Sequence, residues 1–93
     1  MDTNAFETKL KSDGYTEIEI KSYSPHPPNG EHRHHFSVSG LVLDGEFIVI
    51  RDQNPVAYRT GDIFAVSQGC LHGEEIGSKG ARVLIGRKYE QTA

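Results

Sequence analysis

His32 and His34 stand two residues apart in Gly30-Glu31-His32-Arg33-His34-His35-Phe36, just ahead of a strand-forming run. In extended chain, residues i and i+2 point to one face, so two imidazoles can aim at a single point. A third histidine, His72, ends the stretch that begins at Gly61. If the fold returns it to the first two, three neutral ring nitrogens converge, and that donor set suits a divalent transition metal. A plainer reading stands beside it: a buried histidine can be a hydrogen-bonded core residue, and a pair near a surface loop can be solvated. His35 points away from the face of His34, and His26 lies in a proline-rich loop, so neither is expected to ligate.

The elements that must position these residues can be read in order. The 93 residues fit one domain, residues 1–93. Residues 3–12 suit a short helix, capped by Asp2, Thr3 or Asn4, with Phe6 and Leu10 on one face. Asp13-Gly14 stops it, so helix and turn take up residues 1–14. From Tyr15 the period becomes two: Ile18 and Ile20 share one face, Glu17, Glu19 and Lys21 the other, as in a half-buried strand. Ser24 to Gly30 is loop by composition and delivers the chain to the histidines. Leu41-Val42-Leu43, Asp44-Gly45 and Glu46 to Ile50 read as a hairpin on a two-residue turn. Further turns are expected at Asn54-Pro55, Thr60 to Asp62, Gln68-Gly69 and Gly77 to Gly80. Short strands lie between them, and a barrel over residues 15–88 is followed by a frayed tail, 89–93. Many short strands with frequent turns indicate an all-β sandwich or small barrel.

The totals exclude several classes. A net charge of −3 speaks against nucleic acid as a direct partner. No apolar run approaches the ~20 residues of a membrane span, so no membrane partner is expected. The polar, acidic N-terminus lacks the features of a secretory signal. Cys70 is the one cysteine, which excludes an internal disulfide and makes the cytoplasm the expected compartment. A chain this short buries only about 60–65% of its unfolded surface, so a metal or a partner subunit is a natural further source of stability.

Gly30 to His72 resembles the two motifs of the cupin superfamily. The first motif has a glycine, a His-x-His pair, a glutamate four or five residues on, then a Val-Leu-x-Gly turn; here these are Gly30, His32, His34 and Val42-Leu43-Asp44-Gly45. The second has Gly-Asp and a Pro-x-Gly-x-x-His ending; here these are Gly61-Asp62, Gly69 and His72, with Ser67 in place of the proline. The resemblance implies a small cupin-type jelly-roll barrel holding one divalent metal (iron, zinc, nickel, manganese or copper) on His32, His34 and His72. The chain departs from the motif where the glutamate would fall, because Val38 and Ser39 stand there. Three-histidine cupins include thiol dioxygenases and some diketone-cleaving dioxygenases; other cupins have lost metal.

Strand alternation supplies further candidates. A turn at Asp44-Gly45 would set Arg51 opposite Val38, where it could pair with an anionic substrate group or be an ordinary rim arginine. Glu74 shares the face of His72 and could be a substitute ligand, a general base or a rim carboxylate. Cys70 shares that face too and could be a substrate contact or a small buried hydrophobe. Tyr58 could line the mouth. The leading expectation is a metal-dependent enzyme on a small, possibly anionic molecule: a dioxygenase with iron, or an isomerase or lyase with a Lewis-acid metal. The alternative is a non-enzymatic binding or sensor cupin with a degenerate metal site. A homodimer is expected, because an open sheet leaves edges to cover.

Overall fold

The computed structural model describes residues 2–89, so the expected frayed tail lies, beyond Tyr89, outside the described residues. Helix α1, Thr3–Ser12, starts where Asp2 accepts a hydrogen bond from the Ala5 N–H at 3.0 Å. It buries Phe6 and Leu10 against Leu41, Leu43 and Leu84. A helix of this length is marginal alone, and this packing is what holds it.

Five antiparallel strands follow: β1 Thr16–Tyr23, β2 Ser37–Arg51, β3 Asn54–Arg59, β4 Ile63–Val66 and β5 Gly73–Lys88. They form one sheet in the order β1-β5-β2-β3, with β4 also paired to β2. Strands β2 and β5 run beside each other for nearly their whole length. The first half of β2 takes β4 on its other side and the second half takes β3. Phe64 of β4 stacks on Phe47 from the far half of β2, with ring centroids 4.6 Å apart. The sheet therefore curls around an inner cluster of Val42, Phe47, Val49, Phe64, Val66, Ile76, Ala81 and Val83.

The hairpin expected at Asp44-Gly45 is absent, because β2 runs straight through those residues. Gly45 has φ +80° and lies in a pair of register shifts against β5, so its left-handed backbone serves a bulge instead of a turn. A Cβ there would come within 2.0 Å of the Gly80 carbonyl oxygen; the close approach admits only glycine. The tight connection expected at Gly77 to Gly80 is the other wall of the same irregularity, inside the continuous β5. The two-residue turn is at Asp52-Gln53, both with positive φ, between the paired Arg51 and Asn54. Asn54-Pro55 therefore begins a strand, and Pro55 sits on the sheet's edge strand, where a missing N–H is tolerated. The bulge also changes parity: Val42 points inward before it, Phe47 and Val49 after it.

Candidate metal centre

Ser24 to Gly30 is loop apart from an isolated bridge at His26, and the backbone from His26 to His34 is pinned beside residues 69–76. His26 and Ile76 exchange N–H to carbonyl bonds at 3.2 and 3.1 Å, and the Asn29 N–H donates to the Glu74 carbonyl at 3.0 Å. His32 and His72 exchange bonds at 2.9 and 3.1 Å, and the Gly69 N–H donates to the His34 carbonyl at 3.0 Å. The Asn29 side-chain oxygen accepts from the Glu74 N–H at 2.8 Å, and Arg33 Nε donates to the Gly69 carbonyl at 3.1 Å. Residues far apart in sequence are thus set side by side by backbone pairing, before any side chain acts.

Three imidazoles meet there. Ring centroids are 4.8 Å apart for His32 and His34, 4.5 Å for His32 and His72, and 5.3 Å for His34 and His72. The Glu74 carboxylate joins them, and one donor atom from each of the four residues lies within 4.8 Å of all the others. His72 is buried, only 2% exposed; the other three are half-buried.

The tautomers follow from the backbone. His32 Nδ1 lies 3.1 Å from the Gly30 carbonyl oxygen, and His72 Nδ1 lies 3.0 Å from that of Cys70. A carbonyl only accepts, so in each ring Nδ1 carries the proton and donates. In the neutral rings Nε2 is then a bare lone pair. Nε2 of His32 stands 3.2 Å from Glu74 Oε1, and that of His72 stands 3.7 Å from the same oxygen. Acceptors facing one another this closely repel unless a proton or a cation lies between them. Carbonyls that orient ligand histidines in this way are a usual feature of metal sites. Burial, followed by the neighbouring His32 and His72, pushes the His34 pKa down, which favours the neutral, ligating form.

The site opens into a cavity of about 180 Å³. Its apolar wall is Val38, Phe47, Phe64, Val66 and Ile85; its polar wall is Glu17, Glu19, Lys21 and Tyr23 of β1 with Arg87 of β5. The Tyr23 pKa is pushed up to about 12 by burial, with Glu74 adding to it, so its hydroxyl stays protonated. Phe36 stacks on His34, centroids 4.7 Å apart, and the Arg87 guanidinium lies 4.6 Å from the Phe36 ring centre. A side-chain hydrogen bond with Tyr89 raises the Arg87 pKa further.

Of the residues read from sequence, His32, His34, His72 and Glu74 are brought together, and Arg51, Tyr58 and Cys70 are not. The register that would have set Arg51 against Val38 depended on the missing hairpin. Val38 faces Arg87 and Val66, and the Arg51 guanidinium donates to the Ala65 carbonyl. Tyr58 packs on Phe64 at 5.5 Å, and Cys70 packs against the inner cluster; neither lines the cavity. His26, which was not expected to ligate, is half-buried away from the cluster, with Nδ1 2.7 Å from the Pro27 carbonyl oxygen. His35 is exposed, as its alternation predicted. Tyr23 and Arg87 were missed. The signal for Arg87 was its i+2 spacing from Ile85 in the last strand, and it needed the correct register to be read.

No family model matches the chain, and no curated protein matches it in sequence. Solved structures do. The EutQ protein of Clostridium difficile superposes with a TM-score of 0.70 at 14% identity, over 86% of this chain and 61% of that one. A cupin 2 conserved barrel domain protein from Salinispora arenicola gives 0.62 at 17%, over 74% and 59%. A predicted oxalate decarboxylase from Thermotoga maritima gives 0.64 at 17%, over 89% and 74%. The fold is a cupin fold. This chain spans about three-fifths of the length of the first two of those chains, and at such identities the likeness speaks for the fold alone.

Proposed function

We propose that His32, His34, His72 and Glu74 hold one divalent transition metal, and that this cupin domain uses it on a small, oxygen-bearing molecule seated in the adjoining cavity. The observation that carries the reading is the convergence of donor atoms: the Nε2 atoms of His32 and His72, whose Nδ1 atoms face backbone carbonyls, stand 3.2 and 3.7 Å from one Glu74 carboxylate oxygen. The donor set fits the group, because imidazole and carboxylate suit zinc, iron, nickel and manganese alike. Bound there, the metal would supply Lewis-acid polarisation of an oxygen, or one-electron chemistry if it is iron.

The chain's own residues have narrower tasks. Glu74 stands in for the acid missing at Val38 and Ser39. The apolar wall excludes water. Tyr23 offers a neutral hydroxyl as donor.

A second reading, binding without turnover, has one observation in its favour. With Glu74 among the ligands, the remaining acids of the cavity, Glu17 and Glu19, are exposed at the mouth and poorly placed as bases. Two copies joined along the free side of β1, where Ile20 is 54% exposed, would cover an open sheet edge; sedimentation tests that homodimer.

Metal analysis of untagged protein, beside the His32→Ala/His72→Ala double variant, tests the reading. About one equivalent of a first-row metal in wild type, lost in the variant, supports it. No uptake on titration with zinc, iron, nickel or manganese overturns it. Turnover by the loaded protein separates enzyme from binding protein.

A further inference from the structure

Arg87 lines the cavity beside the histidine cluster. It comes from the end of β5, directly opposite Val38, the position left without an acid. Its guanidinium lies over the Phe36 ring, and Phe36 is stacked on the candidate ligand His34. Among the described residues it forms no ion pair with a carboxylate within 4.0 Å, and neither does Lys21 on the same wall. The Arg87 guanidinium carries five N–H donors in a rigid fork. The acids that share this wall, Glu17 and Glu19, are exposed, whereas Lys21 and Arg87 are half-buried. Solvent screens the exposed charges more strongly, so Lys21 and Arg87 act on the cavity more strongly than Glu17 and Glu19 do. The charge count agrees. Lys21 and Arg87 offset Glu17 and Glu19, and a divalent ion on Glu74 would leave one net positive charge for the ligand to neutralise.

We propose that Arg87 sets the specificity of the cavity by gripping the carboxylate of a small monocarboxylic acid, one that carries a hydroxyl or carbonyl oxygen directed at the histidine cluster. The ligand's oxygen end rests on the metal reading above; the carboxylate end rests on Arg87 alone. A fork of N–H donors on a carboxylate is among the stronger charge-assisted pairs, and the Phe36 ring holds the fork in place.

The test titrates wild type, Arg87→Gln and Arg87→Lys with lactate and with its uncharged amide, lactamide, by calorimetry. Each protein is used with and without one equivalent of zinc, and zinc content is measured on the same samples. Lactate should bind wild type at least tenfold more tightly than lactamide. Arg87→Gln should lose that preference at unchanged zinc content, Arg87→Lys should keep part of it, and lactamide should be indifferent to both. Equal binding of the two probes, no binding of lactate, or an Arg87→Gln variant that binds lactate as wild type does would each overturn the proposal. If zinc fails to bind while the Arg87-dependent preference persists, the anchor stands and the metal reading falls. If zinc binds and the preference is missing, only the anchor falls.

Discussion

Strand β2 is apolar on both faces, and the two faces end differently. On one, Leu41 and Leu43 meet Phe6, Leu10 and Leu84, and α1 covers them with residues of matching character. On the other, Val42, Phe47 and Val49 join the inner cluster. Toward the open end that second face meets Glu17, Glu19 and Lys21 of β1, and a cavity remains with His34, His72 and Glu74 on its wall. Strand β1 divides its residues the same way, with Ile18 packed toward the helix cluster. Apolar surface closes where its complement is apolar. Where the complement is polar, packing stops and the space left is where chemistry can sit.

Four variants or conditions break or sharpen this contrast. The largest effect is expected from Leu10→Ala on the closed face: a Leu 2% exposed should cost about 2–5 kcal/mol of stability, read by denaturant unfolding, with metal content per folded protein unchanged. Loss of metal content in that variant would mean that the two faces are coupled. On the open face, His72→Ala should abolish the thermal shift given by added metal, since it removes a buried donor. Glu74→Gln, which keeps shape and removes charge, should weaken metal affinity by more than the roughly 10–100-fold that follows loss of a partner outside the ligand set; unchanged affinity would return the site to three histidines.

The smallest effect is on pH. The folded state holds the His34 pKa below its ordinary 6.5, so the unfolded chain binds the proton more readily. The metal-free protein should therefore be most stable above pH 6.5 and lose stability as pH falls from there to the folded value. Stability that is flat or rising on acidification over that window would contradict the burial of His34. Leu10→Ala should leave this slope unaltered, and His34→Ala should remove it.

Much of the molecule follows from local pattern. The N-terminal helix with its Asp2 cap, the alternation of β1 and the turn residues of an all-β chain rest on neighbours a few positions apart. The candidate ligands His32, His34 and His72 were legible for the same reason, as residue types at motif spacing. Glu74 was legible as a face-mate of His72, although its part in the cluster was one of three readings left open.

Register was not legible. Asp-Gly satisfies a two-residue turn and a glycine bulge equally well, and only β5, lying alongside both halves of β2, favours the bulge over the turn. That single shift took Arg51 away from the cavity and put Arg87 opposite Val38. Likewise the pairing of 26–34 with 69–76 uses backbone groups, which every sequence possesses and none advertises. The sequence by itself determined which donors the chain can offer and which way each alternates along its own strand. Tertiary structure decided which strand faces which, because a side-chain period of two makes every facing assignment hostage to one inserted residue.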